Sequence, residues 1–390
     1  MSSRNQIIIS LPKIRKNLQV LEKLTPRQKH FVVVKADAYG MGALPVARYL
    51  EKDADFFCVA LPEEAKQLSD GGIHLPILCL GYFPDEWMPY YAKNEIRPAI
   101  YDLTTAVKYN DICKDLGVIG KIHLAVDTGH SRIGFAWNDA STVDAIEQIA
   151  SLSHLEIEGV FSHFAVADEE DSPFTKEQLR RFLSVTEQCR SRGISMGIRH
   201  LANDAGVLLY PESHLDGVRM GICIYGEFPS SYVAREAQKK GISILPVFCW
   251  KAAVSHVKEI SRGTPVSYGG TWKAPRDSRI ATIQAGYGDG YSRLFSNQGY
   301  VLLGNPLQRC PIVGRVCMDQ LMLDITGLWN TGNRIARGDT AWLLLRKDAN
   351  QLSAPEPDQI SAEELAQWSQ TIHYEVLCGI SPRVDRVYLK

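Results

Sequence analysis

Lys35 is the residue whose position most strongly indicates chemistry in this sequence. It follows the apolar run FVVV (residues 31–34) and precedes ADAYGMG (36–42). Such a run predicts a buried strand, and packing gives a poor explanation for a lysine at its C-terminal end, followed by glycines. A lysine amine with a lowered pKa can form a Schiff base with a carbonyl substrate or with pyridoxal phosphate. The alternative is a solvated lysine at a strand end.

Other polar residues also follow apolar runs, in the segments 127–132, 162–165, 200–206 and 219–222. In barrels of parallel strands the reactive groups lie at the C-terminal ends of the strands, so we expect these side chains to converge on one site. Small residues at 205, 206 and 221 leave backbone N–H groups accessible, which suits a phosphate. Alone, His163 or Gly221 also fits a purely structural role, as a core histidine or a turn residue.

The composition favours a cytoplasmic protein with a small-molecule ligand. Forty-three basic and 44 acidic residues give a net charge of -1, so bulk electrostatics favours neither nucleic acid nor an anionic membrane as a partner. No apolar stretch has the length of a membrane span or a signal peptide. Nine cysteines without a C-x-x-C pair indicate reduced thiols, and no motif supports a metal site.

The elements that must position these residues form two domains, because 390 residues exceed one ordinary domain. Apolar runs alternate with helical stretches up to about residue 226, which predicts an α/β fold with an N-terminal (β/α)₈ barrel in residues 1–235. The predicted strands are 31–34, 56–60, 76–80, 122–126, 157–161, 197–201 and 217–225. The predicted helices are 44–52, 62–70, 140–152 and 175–192, the last with Thr175 as its N-cap.

Strand-like segments separated by Gly and Pro dominate the rest of the chain. They are 244–257, 279–284, 300–304, 311–318 and 340–345, and only 361–369 has a helical pattern. Residues 236–390 are therefore predicted to form a C-terminal, mainly β domain.

Seven segments, in order along nearly the whole chain, closely resemble alanine racemases. In the first domain they are VKADAYGMG (34–42), VDTGHSRIGF (126–135), SHFA (162–165) and VRMGICIYG (218–226). In the second they are VSYGGTW (266–272), GYGDGY (286–291) and GRVCMDQ (314–320). The resemblance implies a pyridoxal 5'-phosphate-dependent isomerase that interconverts L- and D-alanine and supplies D-alanine for cell-wall peptidoglycan. It also implies a homodimer in which the C-terminal domain completes the partner's active site.

The resemblance implies two bases, Lys35, which also binds the cofactor covalently, and Tyr268. Racemisation removes a proton from one face of Cα and returns it to the other, which two opposed bases achieve. A phenol is a poor base unless neighbours stabilise its phenolate, and in this family His163 and Arg219 form a hydrogen-bonded chain near that tyrosine. Arg219 matches the arginine that faces the pyridine nitrogen. Because guanidinium only donates, this nitrogen stays unprotonated.

The remaining site residues are also implied by the resemblance. The cofactor-binding set is Lys35, Tyr39, Arg132, His163, Asn203, Asp204, Arg219, Gly221 and Ile222. The substrate contacts are Arg132, Met318 through its backbone N–H, and Tyr287 at the entrance.

The sequence departs from the family pattern at three positions. Ala125 occupies the place of a carbamylated lysine that positions Arg132 in many members. Asp204 replaces a serine that commonly bonds the phosphate, and because two anions repel, we expect the backbone N–H to serve or the carboxylate to turn away. Pro382 replaces a tyrosine near the substrate pocket, for which Tyr374 is a candidate replacement.

The departures leave a serine or broad-specificity racemase as the nearest alternative, because apolar pockets discriminate weakly against added atoms. A non-catalytic pyridoxal-phosphate carrier is a second alternative, against which the Tyr268 and Met318 motifs argue. A barrel-type decarboxylase is a third. Such enzymes usually present an acidic residue to the pyridine nitrogen, and Arg219 argues against it.

Overall fold

The structure is a computed structural model that describes residues 4–347 and 358–390. These residues form two compact units. The barrel unit is Ile14–Ile244, and the β unit consists of the described residues of Met1–Lys13 and Leu245–Lys390. An α/β barrel and a mainly β domain are therefore confirmed. The predicted domain limits, 1–235 and 236–390, differ from these units in two ways: the structure groups the first strand with the C-terminal residues, and the barrel unit extends to Ile244.

The strands are, in chain order, β1 Asn5–Ser10, β2 Lys29–Val33, β3 Phe56–Val59, β4 Ile77–Cys79, β5 Ile96–Ile100, β6 Gly120–Asp127, β7 Phe135–Ala136, β8 Leu155–Phe161, β9 Ile198–His200, β10 Gly217–Met220, β11 Phe248–Ile260, β12 Pro265–Val266, β13 Trp272–Lys273, β14 Ser278–Ile283, β15 Tyr300–Leu303, β16 Gln308–Pro311, β17 Leu321–Asp324, β18 Thr340–Leu344 and β19 Asp385–Leu389.

The helical segments are α1 Leu11–Glu22, α2 Lys35–Tyr39, α3 Ala43–Leu50, α4 Pro62–Asp70, α5 Met88–Lys93, α6 Leu103–Leu116, α7 Thr142–Ala150, α8 Pro173–Ser191, α9 Asp204–Leu209, α10 Ser231–Lys239, α11 Thr326–Asn330, α12 Ala362–Ser369 and α13 His373–Cys378. Short 3₁₀ turns include Ile222–Tyr225, Tyr268–Gly270 and Tyr287–Asp289.

In the described part of the chain, eight parallel strands close the barrel in the order β2, β3, β4, β5, β6, β8, β9, β10. Helices cover such strands on the outside, so the strands read as apolar runs, and β3 is buried at every position. Inside, aromatic rings from strands on different sides stack together. Phe31 of β2 stacks on Phe56 and on His200, and it contacts His123 edge to face. A packed interior of this kind fixes the relative positions of the strand ends.

Side chains and prolines set the helix starts in the barrel unit. Asp102 caps α6 by accepting the N–H of Thr105 at 2.7 Å, and Ser230 caps α10 in the same way. The prediction that Thr175 caps α8 is wrong. The helix begins at Pro173 after Ser172, because proline has no N–H to lose and is favoured in the first helical turn.

The β unit is built around the long strand β11. It pairs antiparallel with β1, β14 and β18, and β1 pairs in parallel with β19. Burial alternates along β1, with Ile7 and Ile9 inside, and Asn5 accepts a hydrogen bond from the indole of Trp250 at 2.6 Å. These pairings place the N-terminal residues in this unit.

Within the described residues, no helix is both long enough and apolar enough to cross a membrane.

Candidate active site

Lys35 lies just beyond the C-terminal end of β2, as predicted, with Val34 between them, and it begins a left-handed turn. Residues 36–39 all have φ between 52° and 54°, the left-handed helical region that L-residues avoid at about 1–2 kcal/mol each. Gly40 and Gly42 follow, also with positive φ. The short glycine-rich sequence suggested a turn, but four successive non-glycine residues in this conformation could not be predicted from it.

Glu64 and Asp37 hold this left-handed turn. Glu64 accepts the N–H of Ala36 at 2.6 Å, and its other oxygen accepts those of Ala60 and Leu61. Asp37 accepts the N–H of Ala43 at the start of α3. These hydrogen bonds to charged acceptors offset part of the backbone strain. The backbone that follows Lys35 is thereby anchored on both sides.

Arg219 lies in β10 with its side chain buried. Its guanidinium donates to the backbone oxygens of Ser162 at 2.6 Å, His200 at 2.8 Å and Leu201 at 3.0 Å. Burial lowers the pKa of Arg219 to about 10, so it remains cationic near neutral pH. Three carbonyls therefore hold a permanent, donor-only cation at the ends of the strands.

His163 is buried beside Arg219 and within the electrostatic influence of two other cations. Its Nδ1 lies 3.2 Å from Arg219 Nη2, and since guanidinium only donates, Nδ1 is the acceptor and Nε2 carries the proton. Burial, followed by the charges of Arg219, Arg132 and Lys35, holds the pKa of His163 well below its usual value. The imidazole is therefore neutral near pH 7. The influence of all three cations on one ring supports the predicted convergence of these residues.

A directional chain runs from Arg219 through the barrel interior. Arg219 Nη1 lies 2.9 Å from His200 Nδ1, and His200 Nε2 lies 2.9 Å from Nδ1 of His123. Because Arg219 only donates, Nδ1 of His200 is an acceptor and its proton lies on Nε2. This Nε2–H donates to Nδ1 of His123, whose proton therefore also lies on Nε2. His123 Nε2 then lies 3.4 Å from Glu158, a long contact. Burial, then neighbouring positive charge, lowers the pKa of His200, so this ring is neutral as well.

Tyr39, Gly221 and Asp204 meet at the end of β10. A Cβ on Gly221 would lie 2.8 Å from Tyr39 Oη and 3.2 Å from Asp204 Oδ2, so a larger residue there would displace one of these side chains. Asp204 Oδ2 accepts the N–H of Gly221 at 2.9 Å. In this structure the carboxylate is therefore turned toward that backbone N–H. It lies on the backbone that was assigned to a phosphate, and Ile222 is the next residue of that backbone.

The other predicted barrel residues have distinct surroundings. Asn203 caps α9 by accepting the N–H of Gly206 at 3.1 Å. Arg132 is exposed in the loop after β6. Ala125 is buried against Ala99 and Phe161, so its methyl group fills a core position.

Tyr268, Tyr287 and Met318 lie in the β unit, on neighbouring loops. The N–H of Gly288 donates to the backbone oxygen of Met318 at 2.9 Å, which joins the loops of Tyr287 and Met318. Ser267, which precedes Tyr268, donates to the backbone oxygen of Arg315 at 2.6 Å. The three side chains are 69%, 44% and 52% exposed, respectively. We call them the exposed trio.

Pro382 is exposed, and Tyr374 lies on α13 with its ring 4.7 Å from that of His373. Next to Pro382, the Arg383 guanidinium pairs with Asp289 at 2.8 Å and also with Asp319.

Sequence reasoning missed several residues that position the site. Glu64 had a detectable signal, since glutamate three residues into a helix that starts at Pro62 commonly accepts N–H groups at the helix start. Gln178 had only a weak one, a polar residue on the buried face of α8. It accepts the N–H of Ala165 and donates to Thr128 and to the backbone oxygen of His163. His123 and Glu158 had none.

Two family models match most of the chain. The family model described as alanine racemase, N-terminal domain, matches residues 9–229, and that of the C-terminal domain matches 247–388. An alanine racemase of Clostridium tetani is 39% identical over 98% of this chain and 94% of its own length.

Solved structures are similar over the whole chain. An alanine racemase of Clostridium difficile 630 has a TM-score of 0.89 and 35% identity, and the match covers 100% of this chain and 96% of that one. An alanine racemase from Bartonella henselae, described with covalently bound pyridoxal phosphate, has a TM-score of 0.83 and 27% identity over 99% and 100%. The chain therefore belongs to the alanine racemase family.

Proposed function

We propose that the protein interconverts L- and D-alanine with pyridoxal 5'-phosphate, and that it provides D-alanine for peptidoglycan. Lys35 and Tyr268 are the two bases. The observation that carries this proposal is the barrel cluster itself, in which Lys35, Arg132 and the buried cation Arg219 all act on the neutral ring of His163.

The residues of the barrel fit this cofactor. Lys35 supplies an amine for its aldehyde, Arg219 a donor for its ring nitrogen, and Tyr39 with the backbone at Gly221 and Ile222 a site for its phosphate. Arg132 and Asn203 complete the proposed contacts. Asp204 places a carboxylate at the proposed phosphate site. When bound, the cofactor provides an electron sink for the carbanion that forms when Cα loses its proton.

Each side chain then has a defined task at the substrate. Lys35 and Tyr268 remove and return the Cα proton on opposite faces of the amino acid. The backbone N–H of Met318, with Arg132, orients the substrate carboxylate, and Tyr287 lines the entrance. Arg219 keeps its own proton, because its pKa of about 10 lies well above neutral pH. A donor that never releases its proton disfavours the decarboxylase alternative.

The exposure of Tyr268, Tyr287 and Met318 supports a homodimer with shared sites. Large apolar side chains grouped on a surface are typical of protein interfaces. We propose that the exposed trio completes the site of a second copy of this chain, whose barrel supplies Lys35.

Borohydride reduction of the holoprotein tests the proposed role of Lys35. Reduction makes a link between the lysine amine and the cofactor permanent, so peptide mapping is expected to find the label on the peptide that contains Lys35. Lys35→Ala should abolish labelling and racemisation, whereas Lys52→Ala, a change at an exposed lysine, should preserve both. A label on another lysine would contradict the assignment.

A racemisation assay with L-alanine, L-serine and L-lysine tests the substrate. We expect alanine to be converted fastest. Serine is the informative comparison, because Pro382 replaces the tyrosine that the family carries near the substrate pocket. A smaller ring there leaves more room for the serine hydroxyl. A higher kcat/KM for serine would favour the alternative of a serine or broad-specificity racemase.

A further inference from the structure

Asp204 places a carboxylate where the backbone is arranged for an anion. Its Oδ2 accepts the N–H of Gly221 at 2.9 Å. The N–H groups of Ile222 and Cys223 also favour the charged form of this carboxylate. The residue is only 6% exposed. Its second oxygen, Oδ1, has no hydrogen-bond partner among the described residues. A buried oxygen without a partner is costly unless a ligand or a proton satisfies it.

The same space faces the hydroxyl of Tyr39. The site of a Cβ on Gly221 is 2.8 Å from Tyr39 Oη and 3.2 Å from Asp204 Oδ2, so both groups approach the same point. An anionic ligand that reaches the N–H of Gly221 therefore meets Asp204 at close range. The phosphate ester of the proposed cofactor is such a ligand.

The charged and titratable groups around Asp204 do not neutralise it. The Cys223 thiol contacts the carboxylate, and burial, then the charge of Asp204, holds the pKa of this thiol well above its usual value. On the neighbouring elements, Arg219 is bound to backbone carbonyls. Lys240 donates to the backbone oxygen of Leu208 and His214 contacts that of Val207, both toward the other end of α9. Glu227, which acts on Cys223, adds negative charge.

These surroundings make the proton affinity of Asp204 high. Burial raises the pKa of Asp204 to about 7, although the N–H groups of Gly221, Cys223 and Ile222 favour the charged form. A phosphate ester adds between about 1.5 and 2 negative charges near pH 7. A dianion beside the carboxylate disfavours its ionised form further.

We propose that Asp204 takes up a proton when the cofactor phosphate enters this site, and that the protonated carboxyl group then donates a hydrogen bond to a phosphate oxygen. The inference rests on the proposed function, because the phosphate belongs to the cofactor. Cofactor and proton bind together, so affinity for the phosphate group falls as the pH rises. Above about pH 7, where free Asp204 is ionised, each pH unit lowers this affinity about tenfold.

The test compares pyridoxal 5'-phosphate with pyridoxal, which lacks the phosphate. Both are titrated into the full-length protein from about pH 6 to about pH 9, and the ratio of their dissociation constants isolates the phosphate contribution from that of Lys35. Calorimetry in two buffers of different ionisation heat measures the protons taken up. The variants are Asp204→Asn and Asp204→Ser, and Glu212→Gln, at an exposed residue after α9, is the matched control.

In the unsubstituted protein and in Glu212→Gln, the preference for pyridoxal 5'-phosphate over pyridoxal should fall about tenfold per pH unit above about pH 7. In both Asp204 variants this ratio of dissociation constants should lack that fall. Near pH 8 the unsubstituted protein should take up about one more proton with the phosphorylated ligand than with pyridoxal. This second measurement needs no variant, so a misfolded variant does not remove the test. Equal proton uptake with the two ligands would overturn the inference while leaving the proposed function intact. Failure to bind pyridoxal 5'-phosphate at any pH would refute the proposed function itself.

Discussion

Glu158 in β8 is the carboxylate at the far end of the chain that begins at Arg219. It accepts two hydrogen bonds from Arg97, at 2.9 and 3.3 Å, and Lys121 lies 3.3 Å away. The side chains of Glu158 and Arg97 are largely buried. The substitution Glu158→Gln keeps the shape of the side chain but removes its charge. Arg97 is then a buried cation without its counter-ion.

The size of the effect follows from the pKa of Glu158. Burial raises this pKa, but the His123 ring 3.4 Å away and the two hydrogen bonds from Arg97 outweigh burial and lower it from 4.5 to about 2. At about 1.4 kcal/mol per unit, the ionised form contributes about 3 kcal/mol to the free energy of unfolding near neutral pH. This agrees with the lower end of the cost of breaking a buried ion pair, about 3–5 kcal/mol. A lowered carboxyl pKa stabilises above its ordinary value of 4.5, and the contribution is lost as the pH falls toward 2.

Urea unfolding at one protein concentration, with Glu156→Gln as control, measures this effect. Glu156 is an exposed residue of the same strand. We expect Glu158→Gln to lower the free energy of unfolding by about 3 kcal/mol from about pH 8 to about pH 5. Near pH 3.5 the difference should shrink by about 1.4 kcal/mol, because the unsubstituted protein loses part of its own contribution there. A variant as stable as the control near pH 7, or a deficit that does not shrink in acid, would refute the reasoning.

Three further substitutions test the site. Tyr268→Phe should slow exchange of the Cα proton of L-alanine at least about a hundredfold, measured in deuterium oxide, with the melting temperature unchanged because the side chain is exposed. Gly221→Ala should weaken pyridoxal 5'-phosphate binding in titrations, because its methyl group would lie 2.8 Å from a tyrosine hydroxyl, whereas Gly327→Ala meets open space and should not. Glu64→Ala should lower the melting temperature by several degrees, because three backbone N–H groups lose their acceptor, and the exposed control Glu63→Ala should not.

The strands that could be predicted from the sequence are those with a clear apolar run, although 157–161 and 197–201 also contain charged residues. The segment 56–60 was recognised this way, and α4 was predicted with its observed limits because Pro62 marks its start. Strand β5 was missed because it contains Arg97 and Pro98. The pattern of that strand becomes intelligible only when Glu158, which is distant in sequence, neutralises the arginine.

The site shows the same division between local and distant information. Lys35 could be singled out because its neighbours in sequence are unusual. The conformation that displays it depends on Glu64, from the next β/α unit, and the state of His163 depends on cations from three other segments. Asp204 could be recognised as a departure, but its contact with Gly221 required the fold.

The N-terminal strand β1 has a consequence for dividing the chain. It lies between β11 and β19 in the sheet of the β unit, although both partners come from the opposite end of the sequence. A fragment that starts at residue 245 would lack this strand and would leave the facing N–H and C=O groups of β11 and β19 unpaired. No single cut between the units yields an intact β unit. A peptide with the sequence of β1, added to such a fragment, should restore the sheet by strand complementation.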